Sequence, residues 1–202
     1  MQDFETLLKG SAEAHGHLCP GQVVGVRMAM LGCELIDLAD PKHFPGQIKE
    51  IMVYVEIDRC AADAVSYVTG VKLGRRSLKF VDYGIMAATF VHLGTNRAFR
   101  IRSREKSRES AARYAPHMKD RRLQQLEAYK IMPLKELFEV EEVSVDIPLK
   151  DMPGPTRFKA LCQKCGIVVR DKREVFKNGQ TLCRPCASGA YYRSLRKERK
   201  GG

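Results

Sequence analysis

The sequence has 202 residues, of which 44% are hydrophobic, enough to bury a core in one medium domain and to add a smaller second one. No apolar run approaches the roughly 18 residues that span a bilayer, and the N-terminal MQDFETLLKG lacks a signal-peptide pattern, so we expect a cytoplasmic globular protein. The formal net charge is +11, and residues 157–202 hold thirteen Lys or Arg against three Asp or Glu, which predicts a basic C-terminal unit with its own partner.

The first half of the chain alternates helical and strand patterns. Apolar residues at three- and four-residue steps predict a core helix over 21–39, beginning just after Pro20. The β-branched and aromatic residues of 48–58 predict a strand. Helical spacing returns over 60–69, with Asp58 as the predicted N-cap.

The second half continues with strands and a charged region. A short strand is predicted in 77–84, followed by two strands in 85–103 that join at the turn signal LGTN. The charged stretch 102–130 predicts a long helix interrupted near a proline, and 140–149 predicts a closing strand. The proline- and glycine-rich KDMPGPTR then marks the domain boundary. We therefore expect an α+β core domain over 1–150, with a mixed or antiparallel sheet packed with helices, and a small second domain over 151–202.

The second domain contains four cysteines in two CxxC pairs separated by seventeen residues. Two such turns aim four thiolates at one ion, which is the tetrahedral shell that Zn²⁺ prefers. An iron centre on the same thiolates remains open. The predicted zinc ligands are Cys162, Cys165, Cys183 and Cys186.

The chain between and after these pairs predicts the rest of a treble-clef zinc finger. The segment 167–182 is typical of a hairpin, with Asn178-Gly179 as its turn, and 187–200 is typical of a basic helix. A structural finger does not specify a partner. The basic helix either holds nucleic acid through phosphate contacts or is a solvated face beside a docking surface.

The N-terminal motif AHGHLCPGQ, residues 14–22, places three candidate donors close together. His15, His17 and Cys19 alternate, so in an extended chain they would share one side. Imidazole and thiolate both favour Zn²⁺ or a similar transition metal, although two or three ligands do not close a site.

Two other interpretations of this motif remain open. Cys19 at a helix start is a candidate nucleophile, because the helix dipole and a neighbouring imidazolium lower a thiol pKa. Cys60 has the same context, with Asp63 one turn later, so Cys19, Cys60 and Asp63 are the candidate catalytic residues. The alternative is that these are capping and packing residues, since cysteine is often a small buried hydrophobe.

Three segments together resemble a known family: HGHLCPGQVVGVRMAMLG, then CAADAVSYVTGVKLGRRSLKFVDYGIMAATF, and later the four-cysteine finger. The chain resembles the FmdE family, which takes its name from formylmethanofuran dehydrogenase, most specifically over residues 10–102. The resemblance implies an α+β core that dimerises, an auxiliary treble-clef finger and a link to microbial one-carbon metabolism of the methanogenesis type. The family's association is with the operon of a molybdenum or tungsten enzyme, so membership does not itself imply catalysis.

The resemblance also implies which residues line a core cleft. His17, Cys19 and Cys60 would either hold a second transition metal in this cleft or be its reactive residues. The supporting wall residues would be His15, Asp63, Thr69, Gly70, Asp82 and Gly84. Two positions depart from the family pattern: Val71 stands where a cysteine often occurs, and Ile85 where a lysine often occurs. These departures favour binding or an altered chemistry over the full reaction.

The arginines in 97–108 alternate, which places them on one strand face. They either grip an anionic cofactor through bidentate pairing with carboxylates or form a solvated face, which is the commoner case. The sequence thus supports three hypotheses: a metal-binding protein of one-carbon metabolism, a nucleic-acid-binding regulator that uses the basic finger, and a scaffold subunit that docks on a larger dehydrogenase through the finger.

Overall fold

The computed structural model describes residues 1–195, and the chain divides into two compact units, Met1–Asp146 and a second that begins at Ile147. The predicted boundary after residue 150 lies a few residues further along the chain. Among the described residues, no helix is both long and apolar enough to cross a membrane.

The first unit combines seven helices and five strands among its residues. The helices are α1 (Phe4–His15), α2 (Pro20–Leu35), α3 (Gln47–Glu50), α4 (Cys60–Thr69), α5 (Lys106–Tyr114), α6 (Arg121–Ile131) and α7 (Leu134–Leu137). The strands are β1 (Ile51–Val55), β2 (Leu78–Phe80), β3 (Ala87–His92), β4 (Ala98–Ser103) and β5 (Phe138–Glu142).

The five strands form one mixed sheet in the order β2-β1-β3-β4-β5. Strands β1 and β2 are parallel, and the other neighbours are antiparallel. Parallel neighbours need a crossover, which α4 supplies between β1 and β2. The predicted α+β class with a mixed sheet is confirmed.

The core of this unit lies between α2 and the sheet, and α4, α1 and α6 pack around α2. The predicted helical face supplies Val24 and Met28, which are buried together with Phe90 and Ile101 of β3 and β4. Gly32 lies where α2 crosses β3: a Cβ there would come within 2.4 Å of the Phe90 ring. The apolar periodicity therefore identified the central helix correctly.

Several predicted bounds differ from the structure for local reasons. Helix α2 ends at Leu35 rather than at residue 39, because Asp37 adopts a left-handed φ of 58°, while Leu38 remains buried and extends the apolar pattern. The predicted strand over 48–58 is shorter, since a helical turn occupies its first residues. The N-cap of α4 is Arg59, so the prediction of Asp58 is wrong by one residue.

The other elements of unit one match the sequence patterns in part. The two strands joined at LGTN are confirmed as β3 and β4, and the charged stretch forms α5 and α6, separated around Pro116. The closing strand β5 begins earlier than predicted, because Phe138 is buried and pairs with Ser103. Helix α1 has no counterpart among the predicted elements.

The second unit is built from short pieces. Its elements are β6 (Lys159–Leu161), β7 (Val168–Arg170), β8 (Val175–Lys177), β9 (Gln180–Leu182) and α8 (Arg184–Ser188). Strands β8 and β9 form the predicted hairpin over the second half of 167–182, whereas β7 pairs with β6, which precedes that range.

The turn between β8 and β9 is the predicted one. Asn178 and Gly179 have φ of 51° and 73°, the two left-handed residues of a type I′ hairpin turn. Helix α8 has five residues and ends at Ser188, so the predicted basic helix over 187–200 is wrong for residues 189–195. Its remaining residues, like most of the basic tail, lie outside the described part of the chain.

Candidate metal centres

The described residues bring histidines and cysteines together at two places. One cluster, the core centre, joins His15, His17, Cys19 and Cys60. The other, the finger centre, joins Cys162, Cys165, Cys183 and Cys186. In each cluster the four donor atoms all lie within 4.8 Å of one another, a spacing that one bound ion can bridge.

Three donors of the core centre come from one turn between two helices. Helix α1 ends at His15, and Gly16, with a left-handed φ of 97°, donates its N–H to the carbonyls of Ala12 and Glu13. The chain then reverses to Cys19, the extended N-cap of α2. The expectation of an extended His-x-His-x-Cys stretch is therefore wrong, because its first histidine is helical.

The fourth donor, Cys60, is the first residue of α4, and it reaches the others because α2 and α4 pack very closely. A Cβ on Gly25 would lie 2.6 Å from Ala64 Cβ and 2.7 Å from the Ala61 carbonyl oxygen. A Cβ on Gly21 would lie 3.0 Å from Cys60 Cβ. The two glycines, four residues apart on one helix face, thus allow the two cysteine-bearing helix starts to meet.

Gln22 connects the three helices that carry the centre, and sequence reasoning missed it. Its side chain is fully buried; its Oε1 accepts from the Ser11 hydroxyl and its Nε2 donates to the Cys60 carbonyl at 2.7 Å. A buried amide needs such partners. The signal was available, since a glutamine at the start of an apolar helix face is a polar residue at a core position.

His15 is oriented as a metal ligand. Its Nδ1 lies 2.8 Å from Asp63 Oδ2, and because a carboxylate only accepts, this nitrogen donates. Its Nε2 is buried and has no hydrogen-bond partner. A ring nitrogen held by a carboxylate, with the other nitrogen free, is the arrangement found around protein-bound metals. The motif spacing offered His15 as a candidate donor, whereas the family resemblance implied only a wall residue.

The two thiols of the core centre are unequal in exposure. Cys19 is buried, whereas Cys60 is partly exposed. Burial raises the pKa of the Cys60 thiol above its ordinary value, and the neighbouring Cys19 and Asp63 raise this pKa further. Without a cation nearby, Cys60 is therefore a poor nucleophile, because the thiolate is the reactive form.

The remaining predicted wall residues separate into two groups. Thr69 and Gly70 end α4: the Thr69 hydroxyl donates to the Val65 carbonyl at 2.7 Å, and Gly70 is the left-handed cap with φ of 75°. Asp82 and Gly84 lie in the exposed loop after β2, outside the lining of the cleft described below.

The two departures from the family pattern also lie in different surroundings. Val71 is fully buried in the core, and Ile85 is exposed. Neither lines the cleft.

The arginines of β4 are already paired. Arg100 makes a bidentate salt bridge of 2.7 Å to the buried Glu56, which raises the arginine pKa, and Arg102 pairs with Glu139. A bidentate carboxylate pair satisfies the guanidinium. These arginines are therefore not available for the anionic cofactor that their alternation suggested.

A cleft of about 730 Å³ adjoins the core centre. It lies at the carboxyl ends of the parallel strands β1 and β2, beside the start of α4, which is the usual ligand position next to parallel strands. Its lining includes the donors His15, His17 and Cys60 and the apolar side chains Val55, Ile57, Leu73, Leu78 and Phe80.

The finger centre is assembled by the hairpins and the short helix of the second unit. Cys162 follows β6 and is buried, Cys183 is the N-cap of α8, and Cys186 lies in the helix. Hydrogen bonds from backbone amides lower the Cys162 pKa to about 6, and the bond from the Cys183 amide contributes most. A lower pKa favours the thiolate, which is the ligating form. Knuckle, hairpin and helix occur in the predicted treble-clef order.

A protein-family profile described as "FmdE, Molybdenum formylmethanofuran dehydrogenase operon" matches residues 14–139. The chain belongs to the FmdE family. The match starts at the motif that carries the first three core donors and extends into β5.

Two further comparisons, one by sequence and one by structure, extend over nearly the whole chain. A protein from Archaeoglobus fulgidus described as a probable S-adenosyl-L-methionine-binding protein is 30% identical over 92% of this chain and 53% of its own length. The chain thus spans about half of that relative. A crystal structure of a tungsten formylmethanofuran dehydrogenase FmdE-like protein from Syntrophus aciditrophicus superposes with a TM-score of 0.61 and 17% identity, covering 95% of both chains.

Family membership and the two donor clusters together identify a metal-binding FmdE-like protein. The histidine and cysteine donor sets of both clusters are those that Zn²⁺ accepts. Of the predicted ligands, His17, Cys19, Cys60 and the four finger cysteines all lie within a cluster, and His15 joins them.

Proposed function

We propose that this FmdE-family protein holds a zinc ion at the core centre, beside a ligand cleft, and a second, structural zinc ion in the finger, and that it serves one-carbon metabolism. One observation carries the core assignment. Four donors from three helices converge, and one of them, His15, has its Nδ1 fixed by Asp63 while its buried Nε2 lacks a partner.

The residues around the core centre have distinct tasks in this proposal. His15, His17, Cys19 and Cys60 would hold the ion, and Asp63 is a positioning residue that fixes the His15 ring. A bound zinc ion supplies Lewis acidity to a ligand that reaches it. The apolar lining of the cleft excludes water from such a ligand.

Metal analysis of the purified protein tests the two sites separately. We expect about two zinc ions per wild-type chain, and about one in Cys19→Ala and in Cys60→Ala, because each removes a core ligand and leaves the finger intact. Cys162→Ser should remove the finger ion alone. The matched control is Cys33→Ala, since Cys33 is buried in the core outside both clusters.

X-ray absorption or anomalous diffraction at the zinc edge identifies the ion in each site. Unchanged metal content in both Cys19→Ala and Cys60→Ala would contradict the core assignment. An iron edge at either position would contradict the zinc assignment for that position.

The link to one-carbon metabolism is supported by the family's operon association and tested by co-purification. We propose that a homodimer of the chain associates with a formylmethanofuran dehydrogenase in its native organism. Affinity purification of the tagged chain should recover that enzyme, and light scattering should give the dimer mass. Recovery of the chain without any component of the enzyme would contradict this part of the proposal.

Nucleic-acid binding by the finger is a second candidate, favoured by its exposed aromatic residues. Phe176 is 76% exposed and Tyr191 fully exposed in a basic unit, and aromatic faces with cations suit single-stranded nucleic acid. We expect an affinity that falls linearly on a log–log plot with salt. No binding at low salt would contradict this candidate function. So would variants Phe176→Ala and Tyr191→Ala that bind nucleic acid as tightly as the wild type.

S-adenosylmethionine is the ligand named for the Archaeoglobus relative and is a natural probe of the core cleft. Calorimetric titration of metal-loaded protein measures its binding directly. Binding that disappears in Cys60→Ala would assign this ligand to the cleft, and binding that survives would assign it elsewhere on the chain.

A further inference from the structure

A second pocket, of about 540 Å³, adjoins the cleft of the core centre. The two pockets share His15, Asp63, Ser66 and Lys72 in their linings, so they are neighbouring parts of one continuous groove. The first part is mainly apolar and is lined by three of the four core donors, His15, His17 and Cys60. The second part, which we call the cationic end, is lined by Lys42, Lys72 and Arg75.

The position of Lys42 at the cationic end is set by its neighbours. Its Nζ lies 3.5 Å from the centroid of the Tyr67 ring, a cation–π contact. The Tyr67 hydroxyl fits against Gly10 of α1, where a Cβ would come within 2.0 Å of it. Gly70 allows the Lys42 backbone to approach the end of α4 closely, since a Cβ on Gly70 would lie 3.1 Å from Lys42 Cα.

The cationic end carries a net positive charge, because Asp63 is the one carboxylate among the described residues that line it. None of Lys42, Lys72 and Arg75 forms a salt bridge with a carboxylate among residues 1–195, in contrast to the arginines of β4. The groove contains two carboxylates: Asp63, whose Oδ2 contacts His15, and Asp58 at the other end. Three cations that line one pocket with a single carboxylate, itself bound to His15, attract an anionic group.

The other part of the groove is mainly apolar, and Asp58 and Arg59 are an opposite pair of charges at its far end. Val55, Ile57 and Leu78 line it beside the donors, and Phe80 contributes a ring that is 45% exposed. Burying these apolar surfaces against a ligand is favourable. A ligand that lies along the groove therefore meets cations at one end, apolar side chains along its length and the core centre between them.

We propose that the groove binds a small organic anion, with its phosphate or carboxylate group at Lys42, Lys72 and Arg75 and its uncharged part on the apolar lining beside the core centre. The cationic end stands on its own geometry, and only the placement of the uncharged part next to a metal rests on the proposed function. Lysines suit phosphate as point charges, and arginine suits phosphate or carboxylate as a fork.

Calorimetric titration with phenyl phosphate tests this proposal in the full-length, metal-loaded protein. Phenyl phosphate should bind more tightly than inorganic phosphate, because its ring covers the apolar lining. The double variant Lys72→Gln/Arg75→Gln should weaken binding at least about tenfold, since it removes two charge-assisted contacts. Lys119→Gln, which removes an exposed lysine outside the groove, should leave the affinity unchanged.

Benzoate in a parallel titration distinguishes the two head groups, and the tighter of the two anions identifies the one that the groove prefers. No binding of either anion, or equal affinity in the wild type and the double variant, would overturn the proposal. Metal content is measured on the same samples. Absence of anion binding by the wild-type protein with its core ion present refutes only the anion site, whereas charge-dependent binding without a core ion refutes only the proposed metal function.

Discussion

The two metal centres use similar donors but lie in very different surroundings. The core centre lies at the ends of three helices that are already packed by a large apolar core, with Leu7, Met28 and Val65 buried in it. Among the described residues of the finger, the buried cluster consists of Cys162, Leu182, Cys183 and Ala187, and two of these four are candidate ligands. The comparison indicates that unit one positions its candidate metal ligands by its own packing, whereas unit two would depend on a bound metal in place of a core.

Metal removal should give the largest difference between the two units. Without zinc, the finger loses a binding free energy of about 10 kcal/mol, more than four buried side chains can compensate, so its hairpins should unfold. Unit one should retain its structure. Amide NMR spectra of the protein after metal removal by a chelator check this. A finger that keeps its dispersed signals without metal would contradict the inference that the metal replaces a core.

Close helix packing should matter at the core centre only. Gly25→Ala places a Cβ against Ala64 and the Ala61 backbone, and we expect a loss of about 3 kcal/mol in unfolding free energy. Gly46→Ala is the control, because nothing lies within 4 Å of its Cβ and its φ is not left-handed. Denaturant titration measures both, and equal stability of the two variants would show that the helices adjust freely.

The buried Gln22 should be the next most sensitive position. Gln22→Leu leaves the Ser11 hydroxyl and the Cys60 carbonyl without their partner, which costs about 2 kcal/mol. The core metal affinity should fall with it, whereas finger metal stays bound. Stability measured together with competition by a zinc chelator checks both, and an unchanged core affinity would mean that Cys60 is held by packing alone.

The smallest expected effect belongs to Asp63. Asp63→Ala frees the His15 ring without removing a ligand, so the core metal affinity should drop about tenfold while the fold is kept. Asp63→Asn should recover part of the loss, since its amide oxygen still accepts from Nδ1. If Asp63→Ala binds the core metal as tightly as the wild type, the Asp63 carboxylate does not position the His15 ring.

Local patterns predicted much of the fold. Apolar periodicity identified α2 and α4, and the β-branched runs identified the central strands. The predicted boundaries of two helices were wrong, because tertiary structure overrode the local pattern. Leu38 is buried without being helical, and Arg59 caps α4 without a side-chain hydrogen bond. The predicted basic helix over 187–200 was wrong for the described residues 189–195, because these residues are not helical.

Spacing alone predicted the finger centre, because all four ligands lie in two short motifs. The core centre was only partly predicted, since His15 and Cys60 meet through the packing of α1, α2 and α4. Neither the buried state of His15 Nε2 nor the contact of Gly21 with Cys60 has a local signal. The cationic end of the groove joins residues from three separate segments, and charge counts cannot show that Lys42 and Arg75 lie in one pocket.

The left-handed glycine between His15 and His17 has a consequence for protein design. His-x-His in a strand presents both rings on one flat face, so such motifs are grafted onto sheets. In this protein, the placement of the His-x-His donors depends on the end of α1, the chain reversal at Gly16 and the start of α2. A transplant of residues 4–35 would carry three donors as one helical hairpin, and the receiving scaffold would need to supply a single cysteine at the start of a third helix.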